Sequence, residues 1–405
     1  MVAAPPPIAF LDFAHSLEAA FRRADYAESA FPELAVEHVE RARLHETFDL
    51  GALARWVLAG SALPPQQDIA AKFGDPPITV WAGRRFFVSV LVWRTSTTSI
   101  HQHAFTGAFQ VLQGSSVHSR FEFDTRRVFS EDLAIGTLRN VCVERLERGM
   151  VRPIRPSNQD IHALFHLEHP SVSLVVRTYR DERHPTQYSY YPPGLAIWSL
   201  RHDVEQRRAC QVARMLVETD PAQAEFAVGE LLPEMPAVDG FALLSELFSA
   251  GDLGLALRAL EAAKPQLDAE LAAAFEAALH ERDRQTCLIR RRASIREPDL
   301  RYLLAILLNA PTRTHALSLA AAHTPGRPAP ETLVGWLVAL SRVTLKLQVG
   351  GQPWEPNVLG LPAADDASCE ALRAVLAGEP APIGKPGAFY AAVRYGSTFA
   401  PLFRE

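Results

Sequence analysis

The feature that most constrains the fold is a series of short apolar strands between residues 78 and 200. Segments 86–93, 108–112, 121–123 and 172–177 are rich in the β-branched and aromatic residues that strands favour. Turns containing Gly, Pro, Asn and Asp separate them at intervals of about 8–12 residues. This spacing predicts a β-sandwich or a β-barrel.

On both sides of this region the apolar spacing becomes helical. Residues 9–60 place apolar side chains three and four positions apart, which predicts short amphipathic helices before the strands. After Asp203 the chain is rich in Ala, Leu, Glu and Arg, with prolines at the segment boundaries. Helices are predicted there at 204–218, 222–232, 241–249, 253–263, 267–282, 299–309, 314–322, 331–343 and 369–376. Their apolar faces are interpreted as a core of their own, and no fixed repeat period indicates a solenoid.

The predicted fold class is therefore α+β, with a β-barrel, N-terminal helices and a large α-helical C-terminal half. At roughly 150 residues per domain, 405 residues allow two or three domains. We expect residues 1–72 to be a helical lead packing on the barrel and 73–200 to be the barrel. Residues 201–350 are predicted as an α-helical domain, and 351–405 as a Gly/Pro-rich segment with a short helix.

The composition argues against several functional classes. There are 41 Lys and Arg against 46 Asp and Glu, a net charge of −5, so the positive surface of a nucleic-acid binder is not expected. No run of about 18 apolar residues indicates a membrane span, and the N-terminus lacks the layout of a secretory signal. The four cysteines lie too far apart for a zinc motif or a disulfide framework. We expect a cytoplasmic protein without nucleic-acid or membrane partners.

A pair of histidines carries the first chemical signal. His101 and His103 lie two positions apart in a predicted strand, so their side chains point to the same face, about 7 Å apart at the backbone. Two imidazoles in this arrangement can bind a transition metal together. The chain contains no phosphate-binding loop, dinucleotide fingerprint, nucleophile elbow or HExxH motif that would indicate other chemistry.

The spacing around this pair resembles the two-part signature of the cupin superfamily. Three residues separate the pair from Gly107, six more precede Gly114 in a turn, and His162 is followed at the fourth position by His166. The resemblance implies a double-stranded β-helix, or jelly roll, in which His101, His103 and His162 bind a metal. Gly107 stands where many cupins have a fourth ligand, often Glu.

Within the superfamily, the wider sequence is similar to cysteine dioxygenases. The similarity extends over residues 76–179 and is carried by 91–93, 99–103, 111–114 and 172–174. It implies a three-histidine iron site and helices before the barrel.

This sequence also departs from the cysteine dioxygenase pattern. Val175 and Arg177 occupy places where that family has His and Tyr, and residues 78–81 do not contain its carboxylate-binding arginine. The metal ligands are thus similar, but the substrate-recognition residues differ.

The ligand set indicates the chemistry. Three neutral imidazoles would leave Fe²⁺ its full charge and an open face, where an anionic substrate can chelate and O₂ can bind beside it. No His-x-Asp/Glu pair is present, so 2-oxoglutarate is not implied. Fe²⁺ is the expected cofactor, although copper, nickel or manganese would fit the same ligands.

Strand alternation identifies further candidate residues. Ser173, Val175, Arg177 and Tyr179 share one face, which the resemblance of Ser173 assigns to the pocket. Arg177 is predicted to bind a substrate carboxylate, or alternatively to form a salt bridge at the rim. Tyr179 is predicted to donate a proton or hydrogen bond, or alternatively to pack in the barrel wall.

Other polar residues are interpreted structurally. Histidines at 118, 166 and 169 are expected to be hydrogen-bonded core or surface residues, with a supporting role at the metal as the alternative for His166. The basic cluster 290–292 is expected to be a solvated helix end.

The sequence thus predicts an Fe²⁺-dependent oxygenase acting with O₂ on a small thiol- or carboxylate-bearing metabolite. One alternative is a non-catalytic, metal-binding cupin that acts as a ligand sensor or scaffold through its helical half. Another is a metal-dependent isomerase or lyase that does not use O₂. A homodimer or a protein partner bound through the helical half is also expected.

Overall fold

The computed structural model describes residues 8–60, 63–69, 73–94, 97–179, 187–198, 204–349, 352–381 and 387–405. The strands are β1 (Pro77–Ala82), β2 (Phe86–Trp93), β3 (Ile100–His103), β4 (Gly107–Gln113), β5 (Ser116–Ser130), β6 (Leu133–Leu146), β7 (Val151–Ile154), β8 (Ser157–His166), β9 (Ser171–Thr178), β10 (Tyr188–Tyr191), β11 (Leu195–Trp198), β12 (Leu347–Val349) and β13 (Gln352–Trp354). The α-helices are α1 (Ile8–Arg23), α2 (Phe31–Ala42), α3 (Leu44–Thr47), α4 (Leu50–Ala59), α5 (Val204–Thr219), α6 (Pro221–Leu231), α7 (Ala237–Ala250), α8 (Leu253–Ala263), α9 (Ala269–Arg292), α10 (Pro298–Asn309), α11 (Arg313–His323), α12 (Ala329–Ser341), α13 (Asp366–Ala377) and α14 (Ala388–Tyr395). Short 3-10 helices occur at Glu28–Ala30, Lys264–Gln266 and Ser397–Leu402.

Strands β2 to β9 form a jelly roll. They pair as nested antiparallel partners: β2 with β9, β3 with β8, β4 with β7, and β5 with β6. One sheet has the order β1-β2-β9-β4-β7, and the other, β10-β11-β6-β5-β8-β3, closes into a barrel because β10 also pairs with β3. Nested pairs of this kind form when a long hairpin rolls into two facing sheets. This arrangement is the double-stranded β-helix found in cupins and other jelly rolls. The predicted fold class is confirmed.

The first sheet is buried on both faces, which explains the nearly continuous apolar sequence of its strands. On β2, Phe86 and Val88 lie in the core beneath the N-terminal helices, where the Phe86 ring is 5.2 Å from that of Phe31. The alternating residues Phe87 and Leu91 instead line an internal cavity. Because successive side chains point to opposite faces, one strand serves both the helix-covered core and the cavity.

The C-terminal helices pack against the second sheet. One apolar core joins α5–α9 to Ile135 of β6 and Leu195 of β11. Another joins α9–α14 to Val117 of β5 and Phe165 of β8. The helices pack on one another as predicted, but their cores are not theirs alone, because strands of the barrel contribute to both. Association with a second copy or a partner protein stays a prediction. The described part of the chain has no helix long and apolar enough to cross a membrane.

Arg292, the last residue of α9, connects the helical half to the barrel. It is 2% exposed, and its guanidinium donates to the carbonyl oxygens of His166 at 2.7 Å and Glu168 at 2.8 Å. Burial lowers its pKa to about 10. The predicted solvated helix end is thus wrong for Arg292, because the end of β8 and the residues after it supply carbonyl acceptors that a helix pattern does not reveal.

Replacing Arg292 with methionine is expected to lower the free energy of unfolding by about 2–4 kcal/mol, because buried carbonyl oxygens lose their donors. Chemical denaturation measures this change. The matched control is Arg290→Met, two residues earlier and exposed, which should change stability by less than about 0.5 kcal/mol. Equal effects of the two substitutions would contradict the structural role of Arg292.

Candidate metal centre

Three buried histidines converge inside the barrel. His101 and His103 lie on β3 and His162 lies on β8, and none is more than 6% exposed. Strands β3 and β8 are antiparallel neighbours, with His101 directly opposite His162. One ring nitrogen from each histidine lies within 4.8 Å of the others. Strand pairing therefore brings the third predicted ligand beside the first two.

Burial keeps all three imidazoles neutral. It lowers the pKa of His101 to about 4 and lowers the pKa values of His103 and His162 well below the usual histidine value. A neutral imidazole keeps a lone pair on one ring nitrogen, which is the form that ligates a metal.

The contacts within this histidine cluster fit a bound cation. His101 Nδ1 donates to the carbonyl oxygen of Ser99 at 2.7 Å, so its lone pair is on Nε2. The Nε2 atoms of His103 and His162 lie 2.9 Å apart. A metal ion held by the cluster would take up the lone pairs that meet there. Nitrogen donors without a carboxylate suit Fe, Cu, Ni or Zn, so the residues present fit a divalent transition metal.

Gly107, at the position of the fourth cupin ligand, has no room for a side chain. It begins β4 opposite Arg177 of β9, and a Cβ atom there would lie 2.0 Å from the carbonyl oxygen of Val176. A ligand at this position would require β4 and β9 to separate. The close approach of the two strands thus leaves three histidines as the candidate ligands on this side.

The histidine cluster forms part of the wall of a cavity of about 370 Å³. Most of the wall is apolar, including Phe73, Leu91, Phe105, Phe109, Leu164 and Val175. Its polar positions include Ser89, Ser173, Gln187 and Arg177. The volume lies within the range of about 300–1,000 Å³ that is typical of small-molecule sites. The cavity can therefore take a small ligand with an apolar body.

The predicted cavity face of β9 is confirmed. Ser173, Val175 and Arg177, together with Tyr179 just beyond the strand, all line the cavity. Strand alternation places these residues on one face because β9 has no register shift against β2, and the resemblance of Ser173 assigned that face to the pocket.

Arg177 lies beside the histidine cluster. Its guanidinium is over two aromatic rings, 4.6 Å from the centroid of Phe87 and 3.9 Å from that of Phe105. It also forms an ion pair with Asp68, whose side chain is 43% exposed at the cavity edge. Burial lowers the pKa of Arg177, and Asp68 opposes that shift. Burial is the largest cause of the lowered pKa of His103. His101 is the next, and the charge of Arg177 lowers this pKa further.

The hydroxyl of Tyr179 donates its hydrogen bond to the backbone. The hydroxyl donates to the carbonyl oxygen of Gly83 at 2.9 Å, and the ring lies 5.2 Å from that of Phe87. Burial raises its pKa. These contacts describe an aromatic residue in the barrel wall, and its role as a proton donor stays a prediction.

Two other histidines near the motifs lie outside the cluster. His166 Nδ1 lies 2.9 Å from Ser116 Oγ, and its ring stacks on Trp93. His169 Nδ1 donates to the carbonyl oxygen of Arg94. Both contacts confirm the interpretation as hydrogen-bonded histidines.

His118, in contrast, contacts the cluster. Its Nε2 lies 3.0 Å from Nδ1 of His162. No spacing in the sequence connects His118 to the metal ligands, because their contact depends on the pairing of β5 with β8.

Comparison with known proteins finds partial likenesses. No protein-family model and no curated protein sequence matches the chain. A hydroquinone 1,2-dioxygenase from a Sphingomonas species aligns over 28% of this chain and 71% of its own, at 13% identity and a TM-score of 0.22. A DMSP lyase from Ruegeria pomeroyi aligns over 46% and 98%, at 14% identity and a TM-score of 0.24. An oxalate oxidase aligns over 41% and 65%, at 14% identity and a TM-score of 0.19. The fold class rests on the strand pairing described above.

Proposed function

We propose that this protein is a non-haem iron oxygenase of the three-histidine cupin type, similar to cysteine dioxygenases in its metal ligands. It would act with O₂ on a small thiol- or carboxylate-bearing metabolite. The observation that carries the proposal is the convergence of three neutral, buried imidazoles in one cavity with Arg177, whose side chain is half-buried. His101, His103 and His162 would hold Fe²⁺.

The neutral ligands determine what the site would bind. When present, Fe²⁺ supplies a Lewis acid and a one-electron reductant for O₂. Because no imidazole in the cluster carries a charge that offsets the ion, an anionic donor on the substrate is favoured at the remaining positions. A thiolate or a carboxylate meets this requirement.

Arg177 would orient the substrate. A guanidinium presents donors in a planar fork that matches a carboxylate, and its position between Phe87 and Phe105 restricts its movement. A carboxylate of the substrate would replace or share the contact with Asp68. Since Arg177 and the histidine cluster line the same cavity, one small molecule can reach both.

The cavity wall supports a substrate with a larger apolar body than that of cysteine. Val175 supplies an apolar surface where cysteine dioxygenases have a histidine, and Phe105 and Phe109 extend that surface. The one hydroxyl retained from the family pattern, Ser173, accepts a hydrogen bond from Trp93 Nε1 at 3.2 Å. Most of the wall is thus apolar, and polar recognition is concentrated at few positions.

The test is O₂ uptake by protein reconstituted anaerobically with Fe²⁺, using small thiols and carboxylates with apolar bodies of increasing size. We expect uptake that requires iron and matches the amount of oxygenated product. Protein loaded with Zn²⁺ is the control, because zinc can occupy the ligands but has no redox chemistry.

Other results would point to the alternatives. Substrate conversion that is equal with Zn²⁺ and without O₂ would contradict the proposal and indicate an isomerase or lyase. Ligand binding without any conversion would also contradict it and indicate a sensor.

A further inference from the structure

His118 and Glu144 extend the histidine cluster by two further side chains that the proposed function does not use. We propose that Glu144, His118 and His162 form a hydrogen-bonded relay that holds His162 in the tautomer whose Nε2 can bind the metal. The proposal rests on the proposed function in assigning a metal to His162. The relay itself is a property of the metal-free fold.

The relay is continuous, and its two histidines are buried. His118 Nδ1 lies 2.9 Å from Glu144 Oε1, and His118 Nε2 lies 3.0 Å from His162 Nδ1. Both histidines are at most 3% exposed. Bulk water therefore does not reach the contact between His118 and His162, whereas the Glu144 side chain is 27% exposed.

The sheet register places the three side chains in reach of one another. His118 on β5 is directly opposite Glu144 on β6. On its other side β5 pairs with β8, where the partner of His162 is Arg120, so His118 is the diagonal neighbour of His162. Cross-strand and diagonal neighbours on one face are the pairs whose side chains touch.

The carboxylate sets the direction of the hydrogen bonds. Arg152 donates to both oxygens of Glu144, and the hydrogen bonds of His118 and then Arg152 lower the pKa of Glu144 to about 2. An ionised carboxylate can only accept, so His118 carries its proton on Nδ1. With its proton on Nδ1 and directed at Glu144, the His118 ring has its lone pair on Nε2.

The tautomer of His162 follows from that of His118. His118 Nε2 accepts, so His162 Nδ1 donates and the lone pair of His162 is on Nε2. This is the nitrogen that lies 2.9 Å from His103 Nε2. Asp160 is the other acidic group nearby, but its Oδ2 lies 4.0 Å from His162 Nδ1, beyond hydrogen-bond distance. His118 is therefore the acceptor, and His118 and Glu144 are positioning residues.

The first test measures metal affinity without any assay of activity. We expect His118→Phe to raise the Kd for Zn²⁺, measured by competition with a chelator, by about 10- to 100-fold, as is typical when the partner of a metal-ligating histidine is removed. His118→Gln keeps an acceptor oxygen and should restore most of the affinity. The control His166→Phe alters an equally buried histidine that contacts Ser116, and it should change the Kd by less than about threefold.

The second test reads the tautomer directly. In metal-free wild-type protein labelled with ¹⁵N-histidine, we expect the His162 signal, assigned with His162→Ala, to show a proton on Nδ1 and none on Nε2. A proton on Nε2 of His162 would overturn the proposal, as would an unchanged Kd in His118→Phe. Failure of the wild type to bind any metal would contradict the proposed function instead, because the tautomer is measured without metal.

Discussion

Alanine at position 103 is expected to remove the metal almost completely, from near-stoichiometric binding to less than about a tenth of an ion per chain. Three nitrogen donors are the smallest ligand set at which protein side chains commonly hold a transition metal. His103 is the member whose Nε2 lies 2.9 Å from that of His162, so its loss leaves His101 and His162 without the third donor. Iron-dependent O₂ uptake should disappear together with the metal.

Metal content is measured by mass spectrometry after anaerobic reconstitution with Fe²⁺ and removal of the excess. The control is His280→Ala, which removes an exposed histidine from α9 and should retain the wild-type amount of iron. Circular dichroism of both variants shows whether the barrel is folded. A folded His103→Ala protein with stoichiometric iron would contradict the assignment of the metal ligands.

Methionine at position 177 is expected to raise KM for a carboxylate substrate by about 30-fold or more. Truncating one partner of a buried, hydrogen-bonded charge pair costs about 2–5 kcal/mol of binding free energy, and about 1.4 kcal/mol corresponds to a factor of ten. Methionine preserves an unbranched apolar side chain between Phe87 and Phe105 and removes the charge. Arg177→Lys keeps the charge but lacks the planar fork, so it should have an intermediate KM.

Asp68→Asn separates the two interpretations of Arg177. If Arg177 binds the substrate, the Asp68 carboxylate competes with it, and removing that charge should lower KM severalfold. If Arg177 only forms an ion pair in the wall, both Arg177→Met and Asp68→Asn should reduce stability and leave KM unchanged. Steady-state kinetics and chemical denaturation on the same variants distinguish these outcomes, and unchanged KM in both would contradict substrate binding by Arg177.

Helices and strands were predictable from the sequence wherever the apolar pattern runs through the whole element. Strand 86–93 is observed as Phe86–Trp93, and helix 253–263 as Leu253–Ala263. The helix predicted at 267–282 is observed at Ala269–Arg292, and its last residue donates to the carbonyl oxygens of His166 and Glu168. Those acceptors lie more than a hundred residues away in the chain, so local periodicity does not reveal the extension.

For the candidate site, the sequence predicted which side chains share a face but not which strands lie side by side. The spacing of His101 and His103, and the alternation from Ser173 to Tyr179, correctly indicated which side chains share a face. His162 was identified through its resemblance to a family motif, and its position opposite His101 is a property of the β3–β8 pairing.

By itself, the sequence determined where the helices and strands lie and which residues share one face of each. The two-residue period of a strand and the 3.6-residue period of a helix act between near neighbours in the chain. Only the tertiary structure decided which faces meet. The register of β5 between β6 and β8 placed His118 between Glu144 and His162, and the close approach of β4 and β9 left no side chain at Gly107. The chain before β1 brought Asp68 to Arg177. These contacts join residues that are distant in the chain, and their geometry is set by strand pairing and packing rather than by local sequence.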